Sequence, residues 1–130
     1  MTYKDFSYAK LAWADLTGFD LSGADCTGAD FTDANLTGAD LTGADLTGAK
    51  LGWANLTDAN LTGANLTNVD LTGADLTNAE LGWANLCSVT LRHADLSGAN
   101  LTKANLTNID LYDATLDGAD FTKAKLKFSK

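Results

Sequence analysis

Proline is absent from this sequence, and arginine, histidine and methionine occur once each. With no proline to lock φ, the chain has to turn at residues that tolerate unusual backbone angles, and its 12 glycines are one supply of them. Positive charge is scarce as well: nine Lys and Arg stand against 17 Asp and Glu, a formal net charge of −8. That balance lacks the basic footprint of a direct nucleic-acid binder and disfavours anionic membranes, while leaving basic partners open. Cys26 and Cys87 have no CxxC or CxxH companions, which argues against a disulfide framework or zinc site and fits a reducing compartment. Residues 1–30 hold no apolar run of signal-peptide length, and no stretch of the chain is long enough to span a bilayer. The expectation is a cytoplasmic protein without membrane contact.

What the sequence does have is a period of five. In the register Phe6, Leu11, Leu16 and onward to Leu126, 21 of 25 positions are Leu, the exceptions being Phe6, Cys26, Phe31 and Phe121. Two residues earlier 20 of 25 are Ala, and between the two 19 of 25 are Asp or Asn. Thr or Ser follows the Leu, and most often Gly follows that, so the unit reads Ala-(Asp/Asn)-Leu-Thr-Gly. A helix of 3.6 residues per turn would smear this pattern around its whole surface, so helix is rejected. In an extended segment Ala and Leu point inward together and the polar residue between them points outward. Thr-Gly then turns a corner, where Gly, or Asp and Asn as at Asp33, Asp58, Asn68 and Asn78, accepts left-handed geometry.

The number of sides per coil follows from rare substitutions. Val69, Val89 and Ile109 replace the inward Ala and fall twenty residues apart, so four five-residue sides close one coil and the three stack as a core ladder. This gives about six square coils in one domain over 1–130, with regular repeats from about 4 to 128, and a stack roughly 30 Å long at ~4.8 Å per coil. Tyr3, Phe6, Tyr8 and Phe19 read as an aromatic lid on the first coil, with Phe121 and Phe128 in that role at the other end. An uncovered terminal coil exposes strand edges, so a homodimer through a solenoid end is expected.

The run Ala29-Asp30-Phe31-Thr32-Asp33-Ala34-Asn35-Leu36-Thr37-Gly38-Ala39-Asp40-Leu41, and nearly everything from Phe6 to Leu126, resembles the pentapeptide-repeat family, especially its cyanobacterial members. The resemblance implies a right-handed quadrilateral parallel β-helix. It also implies that some members bind DNA gyrase, a type II topoisomerase, as acidic mimics of duplex DNA. Those members generally carry loops between coils or a C-terminal dimerisation element; this chain has no such loop, and only Lys-Phe-Ser-Lys follows Leu126.

The fourfold register gathers the irregular residues at one corner. Trp13, Trp53, Arg92, His93 and Tyr112 fall there, residue types enriched in binding hot spots, and form the candidate partner surface. Catalysis has little support: His93 stands alone beside Arg92, remote in sequence from any Ser or Cys arranged as a nucleophile. No metal or cofactor motif occurs. The nine-residue glycine-rich repeat of calcium-binding β-rolls does not match, and the recurrent Gly-Ala-Asp lacks the strand-loop-helix setting of a phosphate loop. Thr rows such as Thr17, Thr37, Thr57 and Thr77 lie beside charged or amide residues and lack the second Thr row of an ice-binding face. The sequence therefore predicts a non-enzymatic structural or protein-interaction scaffold, with DNA mimicry as the alternative.

Overall fold

The structure, a computed structural model, describes residues 3–129. Each outward residue pairs in parallel with the residue twenty positions on, as in Asp5 with Asp25, Lys10 with Asp30, Asp15 with Asn35 and Asp20 with Asp40, and the pattern continues to Asn100 with Asp120. One coil is thus twenty residues and four sides, as the Val69, Val89 and Ile109 spacing predicted. Along most of the stack the pairing is one residue wide on each side. The reason is that the corner takes the rest of the unit: the Ala39 N–H donates to the Leu36 carbonyl at 3.0 Å, closing a turn around Thr37-Gly38. Two regular strands form only near the C-terminal end, β1 (Asn105–Ile109) and β2 (Lys125–Phe128), which run parallel with Leu106 against Leu126.

A single repeat shows why the fold can propagate. The Asn35 N–H donates to the Ala14 carbonyl one coil back at 2.9 Å, and the Leu36 and Gly38 N–H groups donate one coil forward to Asn55 and Thr57 at 2.7 and 2.9 Å. The Ala39 N–H closes the corner. That leaves the Thr37 N–H, which donates to the Asn35 side-chain oxygen at 3.1 Å, while the Thr37 hydroxyl donates to the same oxygen at 2.6 Å. All five donors are satisfied, four by backbone and one by the outward side chain. The outward Asp or Asn is therefore a structural cap as well as a solvated group.

The sequence carries this rule in plain view. Of the 19 outward Asp or Asn residues, 17 have Ser or Thr two positions later, the exceptions being Cys87 and Tyr112. None of the other outward residues, Lys10, Lys50, Glu80, Thr90, Thr115 and Lys125, is followed by Ser or Thr at that place. Where the outward residue is neither Asp nor Asn, the hydroxyl is absent too.

Every fifth residue from Tyr8 to Lys123 has φ between +57° and +73°. Positive φ at the third residue of such a turn is the type II requirement, which glycine meets without strain and which costs other residues roughly 1–2 kcal/mol. Trp13, Trp53, Trp83 and His93 nevertheless sit there.

Inside, the Leu row from Leu21 to Leu106 and the Ala row from Ala24 to Ala104 are buried, together with Cys26, Phe31, Val69, Val89 and Ile109. No buried side chain among the described residues is polar or charged. The β-branched ladder presses on its side of the square. Between Ala-lined sides the coil-to-coil bond is commonly 2.9 Å, but the Asp70 N–H, next to Val69, reaches the Ala49 carbonyl at 3.3 Å, the Thr90 N–H reaches Val69 at 3.1 Å and the Asp110 N–H reaches Val89 at 3.2 Å, whereas the Ser129 N–H reaches Ile109 at 2.9 Å.

The aromatic lids are not formed. Tyr3, Tyr8, Phe19 and Phe128 are exposed, while Phe6 and Phe121 are only partly buried against the core. Tyr8 is a corner residue whose side chain points away from the interior, and its ring lies over Gly28 of the next coil, where an added Cβ would fall 2.4 Å from it. Phe19 is at an inward position, but its coil has a neighbour on one side only.

Candidate functional site

One corner runs Trp13, Asp33, Trp53, Gly73, His93 and Asp113, six residues in left-handed geometry stacked coil on coil. The backbone sets the stack: the Trp53 N–H donates to Thr72 at 2.8 Å, the Gly73 N–H to Arg92 at 2.8 Å and the His93 N–H to Tyr112 at 3.0 Å. Because the carbonyl of the residue before each corner accepts from the coil below, Arg92 and Tyr112 are held beside this line.

Near its C-terminal end the corner holds a connected cluster. The Arg92 Nε donates to Asp110 Oδ2 at 2.6 Å, and the guanidinium lies 5.4 Å from the Tyr112 ring centroid. His93 Nδ1 lies 2.8 Å from Asp113 Oδ2, and its ring meets Tyr112 edge-on with centroids 5.8 Å apart. The bond from Arg92, followed by the Tyr112 backbone N–H, holds the Asp110 carboxyl below its ordinary range. The same bond raises Arg92 above its ordinary value. Arg92, His93 and Tyr112 remain exposed, so the pairs orient these side chains without withdrawing them from solvent.

The structure does not join all five candidate residues. It brings Arg92, His93 and Tyr112 together, adds Asp110 and Asp113, which sequence reasoning missed, and leaves Trp53 and Trp13 two and four coils away on the same edge. Trp53 lies flat over Gly73, where an added Cβ would meet the ring at 2.4 Å, so it covers a glycine corner while staying 62% exposed. The third tryptophan, Trp83, is on the diagonally opposite corner, and the Lys103 ammonium sits 4.6 Å from its ring centroid. The signal for that pair was the twenty-residue step from 83 to 103. Asp110 and Asp113 were signalled by the same step from His93 to Asp113 and by the outward Asp preceding Tyr112.

Ionised carboxylates line the walls. Asp5, Asp15, Asp25 and Asp30 are all held below the usual carboxylate range, in each case mainly by the side-chain hydroxyl two residues on and then by that residue's N–H. Asp20 is lowered to about 2 by Ser22, with a further contribution from Lys4 3.0 Å away. Cys26, by contrast, is buried, and burial together with Asp25 and Asp45 pushes its thiol up to about 11. Cys26 and Cys87 are both free thiols. No group of three or more His, Cys, Asp or Glu among the described residues is placed to hold a metal ion.

Comparison with known proteins places the chain. The family described as Pentapeptide repeats matches in eight copies over residues 5–23, 9–48, 24–63, 54–92 and 91–127. Among solved structures, a pentapeptide repeat protein from the cyanobacterium Cyanothece 51142, Rfr23, is 34% identical over 75% of this chain and 64% of its own, with a TM-score of 0.63. The present chain thus spans somewhat less than two thirds of that relative. A pentapeptide repeat protein of the Arabidopsis thaliana thylakoid lumen is 34% identical over 82% of this chain and 70% of its own, with a TM-score of 0.68. HetL from Nostoc, involved in the regulation of heterocyst differentiation, is 32% identical over 97% of this chain and 73% of its own, at 0.55. No curated protein matches the sequence. The twenty-residue coil, the inward Ala and Leu rows and these matches make the chain a member of the pentapeptide-repeat family, folded as a right-handed quadrilateral β-helix.

Proposed function

We propose that this chain is a non-enzymatic scaffold in the cytoplasm that binds a protein partner through the corner carrying Trp13, Trp53, Arg92, His93 and Tyr112, without cofactor, nucleic acid or membrane. The observation that carries this reading is the Arg92, His93 and Tyr112 cluster. It is exposed, aromatic and held in one conformation by Asp110 and Asp113, so its side chains lose little freedom on binding. The remaining walls repeat the same small polar unit and offer little to tell one coil from another. HetL, 32% identical, is named for a regulatory role, which suits a scaffold acting through a partner.

The test is affinity capture with the wild-type chain and with Arg92→Ala/Tyr112→Ala, compared quantitatively against the same extract. The reading expects at least one protein retained by the wild type and lost tenfold or more with the variant. Identical retention by the two would overturn it.

DNA mimicry is the second reading, favoured by the ladder Asp5, Asp25 and Asp45 on one wall, whose first two members are held ionised by their neighbouring hydroxyls. The same ladder continues into Asn65, Asn85 and Asn105, which dilutes the charge. QnrB1, a plasmid-mediated fluoroquinolone resistance protein, is 21% identical with a TM-score of 0.52 and shares the fold alone. Inhibition of gyrase supercoiling at or below about 10 μM would support mimicry, and none up to that concentration would discard it.

A further inference from the structure

The net charge of −8 is not spread evenly around the square. One wall carries Asp5, Asp25, Asp45, Asn65, Asn85, Asn105 and Lys125 as its outward residues, stacked coil on coil. Three carboxylates give way to three amides and then to an ammonium along a single line. The corners on either side follow the same gradient. The segments that build this wall and its corners beyond Asp45, 62–68, 82–88, 102–108 and 122–128, contain no Asp or Glu and four lysines, Lys103, Lys123, Lys125 and Lys127. All four lysines are exposed. The corner leading into the wall is Gly23, Gly43 and Gly63, where an added Cβ would meet nothing within 4 Å, followed by Trp83, Lys103 and Lys123. Trp83 is 66% exposed, so a large apolar side chain stands in water beside a row of open glycines.

A wall graded in this way is complementary to itself when turned over. Two copies laid wall to wall with their axes parallel set Asp5 on Asp5, Asp25 on Asp25, Asp45 on Asp45 and Lys125 on Lys125, and like charges juxtaposed across an interface are costly. With the axes antiparallel, a two-fold axis through Asn65 sets Lys125 on Asp5, Asn105 on Asp25 and Asn85 on Asp45. The same rotation keeps each corner against its counterpart. It lays Trp83 over Gly43, Lys103 over Gly23 beside Asp25, and Lys123 over the exposed Tyr3. Each of these contacts occurs twice, because the interface is isologous. Moving the two-fold axis to Asp45 would set Asp45 on Asp45. The axis through Asn65 opposes no like charges among the outward residues and engages all seven of them.

We propose that this chain forms a side-by-side dimer, two copies meeting through this wall with their solenoid axes antiparallel. The contact uses the side of the stack and neither of its ends. It also leaves the corner of Arg92, His93 and Tyr112 facing away from the interface on both copies. At ~4.8 Å per coil and ~3.3 Å per extended residue the wall measures roughly 30 by 10 Å, or about 600 Å² over both copies. A stable complex buries roughly 1,200–2,000 Å², so the dimer populates at high protein concentration.

Sedimentation velocity on this 130-residue chain, in a concentration series up to about 1 mM at low ionic strength, tests the proposal, since millimolar protein populates even weak contacts. The weight-average mass should rise with concentration, level off at that of a dimer and fall when salt is added. Lys125→Asp should weaken association at least about fivefold, and Lys125→Asp/Asp5→Lys should restore it to within about twofold. Lysine and aspartate both occupy outward positions elsewhere in the stack, and unchanged circular dichroism confirms the fold of each variant. A zero-length carbodiimide cross-link should join Lys103 to Asp25. Within one chain these residues lie roughly 19 Å apart along the axis, so that link forms only between copies. A monomer at 1 mM, a mass that climbs past two copies, a folded double variant that associates no better than Lys125→Asp, or a dimer without the Lys103 to Asp25 link would overturn the proposal.

Discussion

At the scale of the residue, the outward Asp or Asn does two jobs. Its Oδ1 satisfies the one N–H per repeat that the stack leaves over, and its other atoms face water. In Asn65→Ala both the Thr67 N–H and hydroxyl lose their acceptor, with an expected destabilisation of about 1 kcal/mol in a urea melt. Asn65→Asp keeps the oxygen and should lie within about 0.5 kcal/mol of wild type. The corner residues obey a separate rule. Gly73→Ala meets both the Trp53 ring and a φ of +68°, so it should cost more than the roughly 1–2 kcal/mol of the backbone angle alone. In a Trp53→Gly background the ring is gone, and the same substitution should fall back to that backbone cost; equal costs in the two backgrounds would refute the stacked position of Trp53.

At the scale of the element, one side of the square differs from the other three. Val69, Val89 and Ile109 put larger side chains into it over three successive coils, and the Asp70, Thr90 and Asp110 N–H groups reach the coil before at 3.3, 3.1 and 3.2 Å, while the Ser129 N–H reaches Ile109 at 2.9 Å. Shortening one member leaves a gap that its neighbours hold open. Val89→Ala is expected to lose about 1–2 kcal/mol, whereas Val69→Ala/Val89→Ala/Ile109→Ala should lose less than the single substitutions combined, because an all-Ala side closes up as the others do. Calorimetric or denaturant melts of the four variants measure this, and strict additivity would contradict it.

At the scale of the whole molecule, each coil buries its Leu layer against two neighbours, except at the ends, which have one. Amide exchange should therefore be slowest around Leu41 to Leu81 and become progressively faster toward Leu11 and Phe121, as expected for nearest-neighbour coupling along a solenoid. Uniform protection would show that the stack opens as one unit. The aspartates add a pH dependence with a definite sign. Asp5, Asp15, Asp20, Asp25 and Asp30 have folded values below the unfolded value near 3.8, so they stabilise the fold above that pH and lose this contribution as pH falls toward the folded values, about 2 for Asp20. The midpoint of thermal unfolding should therefore be nearly flat from pH 7 to 5 and drop between about 4 and 2. A midpoint that rises over that acid interval would mean that relief of carboxylate repulsion outweighs the lost hydroxyl bonds.

By itself the sequence determined the architecture, because a five-residue period with Ala and Leu two apart admits one dry interior, and Val69, Val89 and Ile109 count four sides to a coil. It also held the pairing of outward Asp or Asn with the hydroxyl two residues later, a rule that becomes visible once the donors of one repeat are accounted for. Tertiary structure alone decided which exposed residues meet. Arg92 reaches Asp110 and His93 reaches Asp113 across the step between coils, while Trp13 and Trp53 share their corner but stay apart along the axis. The ends were also a tertiary matter: Tyr3 and Tyr8 look like lid residues in a sequence, yet Tyr8 leaves its corner pointing outward and lies on Gly28. Periodicity fixes the direction of a side chain relative to the interior, and only the pitch and rotation of the coil fix what that side chain then touches.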